Sequence, residues 1–412
     1  MQTDRSTIRA MAKHGAMPLN ILWSGPLQSS EAMIRGTAPH PATMRWQRMF
    51  IGGLREAGHH VRWIGHEPHR TWPWGPLRVS AASQADMHEI DPEGTQVCYT
   101  NVSRFRNRSL RWGYRRATLA AIRAARPDVV VTYNADPWMQ GVADAAVAEM
   151  VPWVPVVLEC SHDPLSDGWH AFKRATTRAH GVAFISHWAY THAPGDRKYL
   201  LAGAIMPRAV APAFLIKARA PLLLYAGAHS RAGGIDRLIR ALPLLKTAGV
   251  RLLITGQGKG LDREITRACE TAPGVEDLGM VTDDHLAELA SEAHVLVNPR
   301  PLNFEANRTN FPSKLLDYLS YIRPVVSTRT DGIGPGYDDL VHFTATDEPS
   351  DIAKAIDDVL HMDDHERDRW MQRIAAAVDQ MTPRRAADDF TSWLIRMGID
   401  KSPWQRVTAA VT

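Results

Sequence analysis

Residues 311–319 carry the most suggestive chemistry in the chain: Phe311, Pro312, Ser313 and Lys314, followed by Leu315, Leu316, Asp317 and Leu319. The leucines fall at helical spacing, so Pro312 and Ser313 stand where a loop becomes a helix. First-turn N–H groups and the positive end of the helix dipole favour an anion such as a diphosphate there. Lys314 adds a cation on a flexible stem. An amphipathic helix start without a ligand is the plain alternative. A second candidate is the pair His162 and Asp163, just after the apolar run 154–158 and therefore at the carboxyl end of a predicted strand. An imidazole at such an edge can move a proton, and a carboxylate beside it can orient it or stabilise its charge. Ordinary loop structure explains the pair as well.

The elements that must position these residues read as an alternation of short apolar runs and helical stretches. Runs at 20–25, 61–65, 128–133, 154–158 and 181–186 form one series, with a helix predicted at 43–57 and stopped by Gly58. Runs at 222–227, 251–256, 275–279, 294–298 and 324–328 form a second. Strand, helix, strand in this order predicts parallel sheets with helices on both faces. The fold class is therefore α/β, with two doubly wound, Rossmann-like domains facing across a cleft. Ligands are expected beyond the carboxyl ends of the strands. The divisions are a flexible leader at 1–17, an N-terminal domain at 18–212, a C-terminal domain at 213–390 and a tail at 391–412. A linker with Pro212, Lys217 and Arg219 separates the two series.

The chain has 412 residues, enough for two cores, and its 45% hydrophobic and 22% charged content excludes disorder and collagen-like folds. Lys and Arg total 48 against 44 acids, a net charge of +4 that argues against wrapping nucleic acid. Cys98, Cys160 and Cys269 fit no CxxC or disulfide pattern and point to reduced thiols in the cytoplasm. No apolar run is long enough to span a bilayer.

The second series resembles the donor domain of GT-B glycosyltransferases of the retaining group 1 family. The resemblance rests on 224–239 (Leu-Tyr-Ala-Gly-Ala-His-Ser-Arg-Ala-Gly-Gly-Ile-Asp-Arg-Leu-Ile), 253–258 (Leu-Ile-Thr-Gly-Gln-Gly), 278–281 (Leu-Gly-Met-Val), 311–319 and 324–328 (Pro-Val-Val-Ser-Thr). Upstream, 52–61 resembles the family's first helix and second strand, and 161–163 (Ser-His-Asp) its His-Asp at the cleft. The resemblance implies transfer of a hexosyl unit, with retention, from a nucleoside-diphosphate sugar to a hydroxyl acceptor. That acceptor is a glycan, a lipid-linked sugar or a secondary metabolite. No metal or other cofactor is implied. His162 would lie at the reacting sugar with Asp163 beside it. Gly227, Arg231, Gly256, Gly258, Met280, Val281, Arg308, Phe311, Pro312, Ser313, Lys314 and Asp317 would line the donor site. Asp317 would accept hydrogen bonds from the ribose hydroxyls, a task suited to a carboxylate.

Three departures from the family pattern stand out. The first acid of its Glu, seven residues, Glu motif falls at Thr309, and its phosphate-clamping Arg and Lys fall at Ala228 and Gly233. Arg231, Arg300, Arg308 and Lys314 are the cations that could rebuild the clamp. Two other readings stay open at this point: a catalytically degraded relative that only binds a nucleotide or glycan, and a sugar-nucleotide epimerase or phosphorylase of the same fold.

On the acceptor side, Gly25, Arg35, Trp72 and Trp74 are the candidates, the two tryptophans as a sugar-stacking or lipid-facing surface. Residues 104–126 hold eight arginines and no acid. Arg104, Arg108, Arg111 and Arg115 line one helix face, interleaved with Phe105, Leu110, Trp112 and Tyr114. Such a face suits an anionic membrane surface or an acidic acceptor, or is simply a solvated outer helix. His59, His60, His66 and His69 cluster without zinc spacing.

Overall fold

The computed structural model describes residues 18–26, 41–80, 94–158, 167–201, 203–206, 208, 220–258 and 260–399. The leader, the linker around 212, Arg35, Cys160, His162, Asp163 and the end of the tail lie outside these residues.

Two parallel sheets organise the chain. The first has seven strands, in the order β4-β2-β1-β6-β7-β8-β9. Its members are β1 (Asn20–Ser24), β2 (His60–Gly65), β4 (Thr95–Gln96), β6 (Val129–Tyr133), β7 (Trp153–Val157), β8 (Val182–Phe184) and β9 (Lys198–Leu200), while β3 (Arg78–Val79) pairs antiparallel with β5 (Tyr99–Thr100). The second has six strands, in the order β12-β11-β10-β13-β14-β15. They are β10 (Leu222–Ala226), β11 (Arg251–Thr255), β12 (Val275–Asp277), β13 (Val295–Asn298), β14 (Val325–Thr328) and β15 (His342–Thr344). The α/β architecture with two parallel sheets is the one expected from the sequence. All ten apolar runs of the two series became strands, within a few residues of the expected bounds. A parallel strand covered on both faces reads as an unbroken apolar run, which is why these were legible.

The described residues fall into two compact units, one drawn from Met1–Val156, Thr177–Val182 and Ala387–Thr412, the other from Val157–Thr176 and Ala183–Ala386. In the first unit, helix α1 (Pro41–Glu56) packs Phe50 against Phe390 at 5.5 Å between ring centroids. Trp23, Trp63 and Trp153 are the most deeply buried tryptophans of this core, and the indole N–H of each finds an acceptor: Trp23 on Gln47 Oε1, Trp63 on the Gly25 carbonyl and Trp153 on Thr132 Oγ1. That pairing matters because a buried donor without a partner costs about 1–3 kcal/mol. Helix α2 (Ser103–Ala125) buries Leu110, Tyr114, Thr118 and Ile122 and ends at Arg126 in the left-handed conformation, φ 45°. The unit also holds α3 (Gln140–Ala148).

In the second unit, Leu223, Leu224, Leu252, Ile254, Leu296, Val297, Val325 and Val326 form the buried middle of the sheet. Helices pack over it, among them α6 (Ile235–Ala241) with Leu238, α7 (Asp262–Thr271) with Ile265, and α11 (Pro349–Leu360) with Ile352 and Ile356. Each such aliphatic side chain contributes about 1.5–3 kcal/mol on burial. The remaining helices are α4 (Asp167–Arg178), α5 (His187–His192), α8 (Asp283–Glu292), α9 (Glu305–Thr309), α10 (Lys314–Leu319), α12 (Asp364–Gln380) and α13 (Pro383–Arg396).

Candidate functional site

The residues with chemical potential gather in the second unit, where β10, β11 and β13 run out at their carboxyl ends. The loops after β10 and β11 lie backbone against backbone. The Gly227 N–H donates to the Thr255 carbonyl at 2.8 Å, and the His229 N–H to that of Gln257 at 3.1 Å. Such closeness excludes side chains. A Cβ on Gly256, whose φ is +131°, would stand 1.9 Å from the Gly227 carbonyl oxygen, and one on Gly258 would stand 2.5 Å from that of His229. Both glycines of the 253–258 motif are therefore required by contact, and Gly256 by conformation as well.

Lys314 is the centre of this cluster. Its ammonium reaches back from the start of α10 to donate to Tyr225 Oη at 3.2 Å, and it stands 4.4 Å from the centre of the Tyr225 ring. A Cβ on Gly227 would sit 1.6 Å from Lys314 Nζ, so any side chain there would push the end of the lysine out of this seat. Burial, with Arg300 nearby, lowers the Lys314 pKa to about 7, opposed by Asp317. The ammonium thus sits half-buried, where water stabilises its charge poorly, and an incoming anion would add to that stabilisation. Tyr225 is held by the Ala228 and Gly233 carbonyls, which accept from its hydroxyl at 2.8 and 3.2 Å. Its own ionisation is pushed up strongly by burial. Tyr318, one turn along α10, accepts from the Ala226 N–H at 2.8 Å and fixes the helix to the end of β10.

The position where the family pattern has its first acid is occupied differently. Thr309 is buried, and its hydroxyl donates to the Glu305 carbonyl at 2.9 Å, while its own carbonyl accepts from Ser186 Oγ at 2.6 Å. It is a framework residue. Asn307 is its counterpart on the same helix, donating to the Ala232 carbonyl at 2.8 Å and the Pro301 carbonyl at 3.0 Å. These bonds tie α9 to the turn Arg231–Gly233 and to the loop after β13. Gly234 completes the fit, since a Cβ there would be 1.8 Å from the Pro299 carbonyl oxygen.

The other candidates are less closely joined. Arg231 and Arg308 are exposed, on the turn and on α9 respectively. Met280 and Val281 follow Gly279, whose carbonyl accepts from the Gly256 N–H at 2.8 Å, so they belong to a loop bordering the glycine contact. Phe311 and Pro312 are buried, Phe311 against Tyr337 at 5.2 Å, whereas Ser313 and Asp317 are exposed. Three residues were missed from the sequence: Tyr225, Asn307 and His229. The His229 ring is buried, with Nε2 lacking a hydrogen-bond partner among the described residues and 3.8 Å from Asp277 Oδ1. Its place directly after Ala228, where the resemblance puts a cation, was the available signal.

In the first unit, Gly25 is packed against Gln47 and Tyr133, with its N–H bonded to the Ile64 carbonyl and its carbonyl bonded to Trp63. Trp72 and Trp74 are exposed. His66 is bonded through Nδ1 to Tyr114 Oη at 2.7 Å, and burial lowers its pKa to about 3, so it stays neutral within an aromatic cage. Among the described residues no three His, Cys, Asp or Glu side chains gather as a metal site. A cavity of about 550 Å³ lined by Arg55, His59, His60 and Arg62 opens at the amino ends of β1 and β2, away from the strand ends where such sheets bind ligands.

Comparison with known proteins follows the same division. Residues 220–362 match the family described as Glycosyl transferases group 1. A search of curated proteins gives no match. Among solved structures, a glycosyltransferase from Rickettsia africae ESF-5 is 14% identical, covers 92% of this chain and 98% of its own, and superposes with a TM-score of 0.63. Anabaena HepE in complex with UDP is 15% identical over 92% of this chain and 100% of its own, TM-score 0.65, and the same protein is solved with UDP-glucose. Sucrose-phosphate synthase from Thermosynechococcus elongatus is 15% identical over 91% and 98%, TM-score 0.60. The two-sheet fold of this chain is the GT-B fold of these enzymes.

Proposed function

We propose that the chain is a group 1 glycosyltransferase, the family that residues 220–362 match, and that it moves a hexosyl unit, with retention, from a nucleoside-diphosphate sugar to a hydroxyl acceptor. The observation that carries this reading is the seat of Lys314, a cation lodged among Tyr225, Gly227 and Arg300 at the ends of β10 and β13. Where Ala228 and Gly233 offer no cation, Lys314 takes up the diphosphate, aided by Arg231 and Arg308. Exposed Met280 and half-buried Val281 would flank the base, and Asp317 would accept from the ribose hydroxyls. The solved complexes of Anabaena HepE with UDP and with UDP-glucose favour a nucleotide sugar as partner.

In this reading the leaving diphosphate gains negative charge as the glycosidic bond breaks, and a poorly hydrated ammonium stabilises that charge more than water would. His162 and Asp163 act at the sugar. The reaction uses no metal and takes place in the cytoplasm, where Cys98 and Cys269 remain free thiols. The acceptor is a glycan, a lipid-linked sugar or a secondary metabolite, met by the unit that holds Arg35, Trp72 and Trp74.

The test is a thermal-shift screen against UDP, GDP, ADP, dTDP and CMP, followed by an assay of sugar release or transfer from the matching donor. One nucleoside diphosphate should stand out. Binding without transfer or hydrolysis would turn the reading to a nucleotide-binding relative, and no binding at all would remove the donor site.

A further inference from the structure

The first unit exposes a run of arginines and aromatic side chains that its core does not use. Along α2, Arg104, Arg108, Arg115 and Arg116 are exposed, and none of the four makes an ion pair among the described residues, in contrast to Arg111, which pairs with Asp144 at 2.7 Å. Beside that stripe, Phe105 and Trp112, at i and i+7, share a helix face and are 59% and 65% exposed. At the start of the same helix a loop is fastened down. The Trp72 N–H donates to the Asn101 carbonyl at 3.0 Å, and the Asn101 side chain donates to the carbonyls of Arg70 at 2.7 Å and Pro76 at 3.0 Å. Ser109 then bonds the Thr100 backbone, N–H and carbonyl both at 3.1 Å, and so joins that segment to the first turns of α2. The loop thereby holds out Trp72 and Trp74, which are 51% and 80% exposed.

Four large aromatic side chains are left in water, two on α2 and two on a loop bonded to the segment just before it, together with arginines that make no ion pair among the described residues, which is more than a solvated helix requires. The combination has a chemical meaning. Indole and phenyl rings settle at the level of lipid headgroups, and guanidinium groups bind phosphate oxygens in pairs. We propose that this face docks the protein on an anionic lipid bilayer, with Trp72, Trp74, Phe105 and Trp112 entering the headgroup layer and Arg104, Arg108, Arg115 and Arg116 binding lipid phosphates. Vesicle binding is read apart from sugar transfer, so the docking stands or falls separately from the donor reading.

The experiment is co-sedimentation of the full chain with vesicles of phosphatidylcholine alone and of phosphatidylcholine mixed with phosphatidylglycerol. Binding is expected only to the anionic vesicles and weakens as salt is raised. A juxtaposed arginine changes partitioning by about fivefold, so Arg104→Gln, Arg108→Gln, Arg115→Gln and Arg116→Gln together should lower it by at least about 100-fold. Trp72→Ser with Trp74→Ser should weaken binding and reduce quenching of tryptophan fluorescence by brominated lipid. All six positions are exposed, so unchanged thermal melting serves as the folding control. Failure of the wild-type chain to bind anionic vesicles overturns the proposal, and so does binding that survives the four arginine changes. A wild-type chain that ignores vesicles but binds a single-stranded oligonucleotide through these arginines overturns it in favour of a nucleic-acid surface.

Discussion

At the scale of single residues, the proposed donor site turns on the protonation of Lys314. With its pKa lowered to about 7 in the free protein, the side chain is an ammonium below neutrality and a neutral amine above it. A diphosphate favours the charged form, so binding takes up a proton. Affinity for the nucleoside diphosphate should therefore fall as pH rises above about 7, approaching tenfold per pH unit in the alkaline limb. Calorimetric titration across that range checks the slope, and a flat profile would remove Lys314 from the phosphate. Lys314→Met should raise Kd by about 10- to 100-fold, the loss of one charge-assisted hydrogen bond, and abolish the pH dependence. His162 belongs to a different step. His162→Ala should reduce turnover by about 10²- to 10⁴-fold while leaving nucleotide Kd unchanged, and an enzyme that turns over normally would exclude the imidazole from the chemistry.

At the scale of elements, the loops after β10 and β11 are held in van der Waals contact by glycines, and this is where stability and site geometry meet. Gly256→Ala places a methyl group 1.9 Å from the Gly227 carbonyl at a φ of +131°. Strain of that kind costs about 1–3 kcal/mol before any clash is counted. The variant should melt several degrees lower and lose nucleotide affinity together, whereas Gly249→Ala, also at positive φ but with open space around it, should lower only the melting temperature. Circular-dichroism melts with and without nucleotide distinguish the two cases. The same loops show what a sequence discloses. The central strands were readable because burial on both faces leaves an apolar run. Edge strands such as β9 and β15, half-buried and partly polar, leave no such trace. Gly256 and Gly258 were readable as part of the 253–258 motif, but their reason, the backbone of the neighbouring loop, was not. Lys314 was read as a cation at a helix start. Its seat on Tyr225 joins residues far apart in the chain, and no local spacing encodes that contact. The framework roles of Thr309 and Asn307 were invisible for the same reason, since they rest on hydrogen bonds to segments distant in the chain.

At the scale of the whole molecule, the two units have separate cores, one rich in tryptophan and one in leucine and valine, and the proposed donor residues all lie in the second. A ligand stabilises the structure that binds it, by about 2.7 kcal/mol at 100 times its Kd. Amide exchange reports that stabilisation region by region. With a nucleoside diphosphate present, protection should rise most in the segments after β10, β11 and β13 and through α9 and α10, because these carry the hydrogen bonds that must open for exchange. The tryptophan-rich unit should change far less. Protection rising chiefly around β1 and β2, where the 550 Å³ cavity lies, would instead mean that the nucleotide binds beside Arg55 and Arg62, and the donor site would have to be sought there. The comparison is sharp because both regions are basic. The cavity's arginines lie at the amino ends of β1 and β2, whereas the loop cluster sets Lys314 at the carboxyl ends of parallel strands, where sheets of this kind bind their ligands.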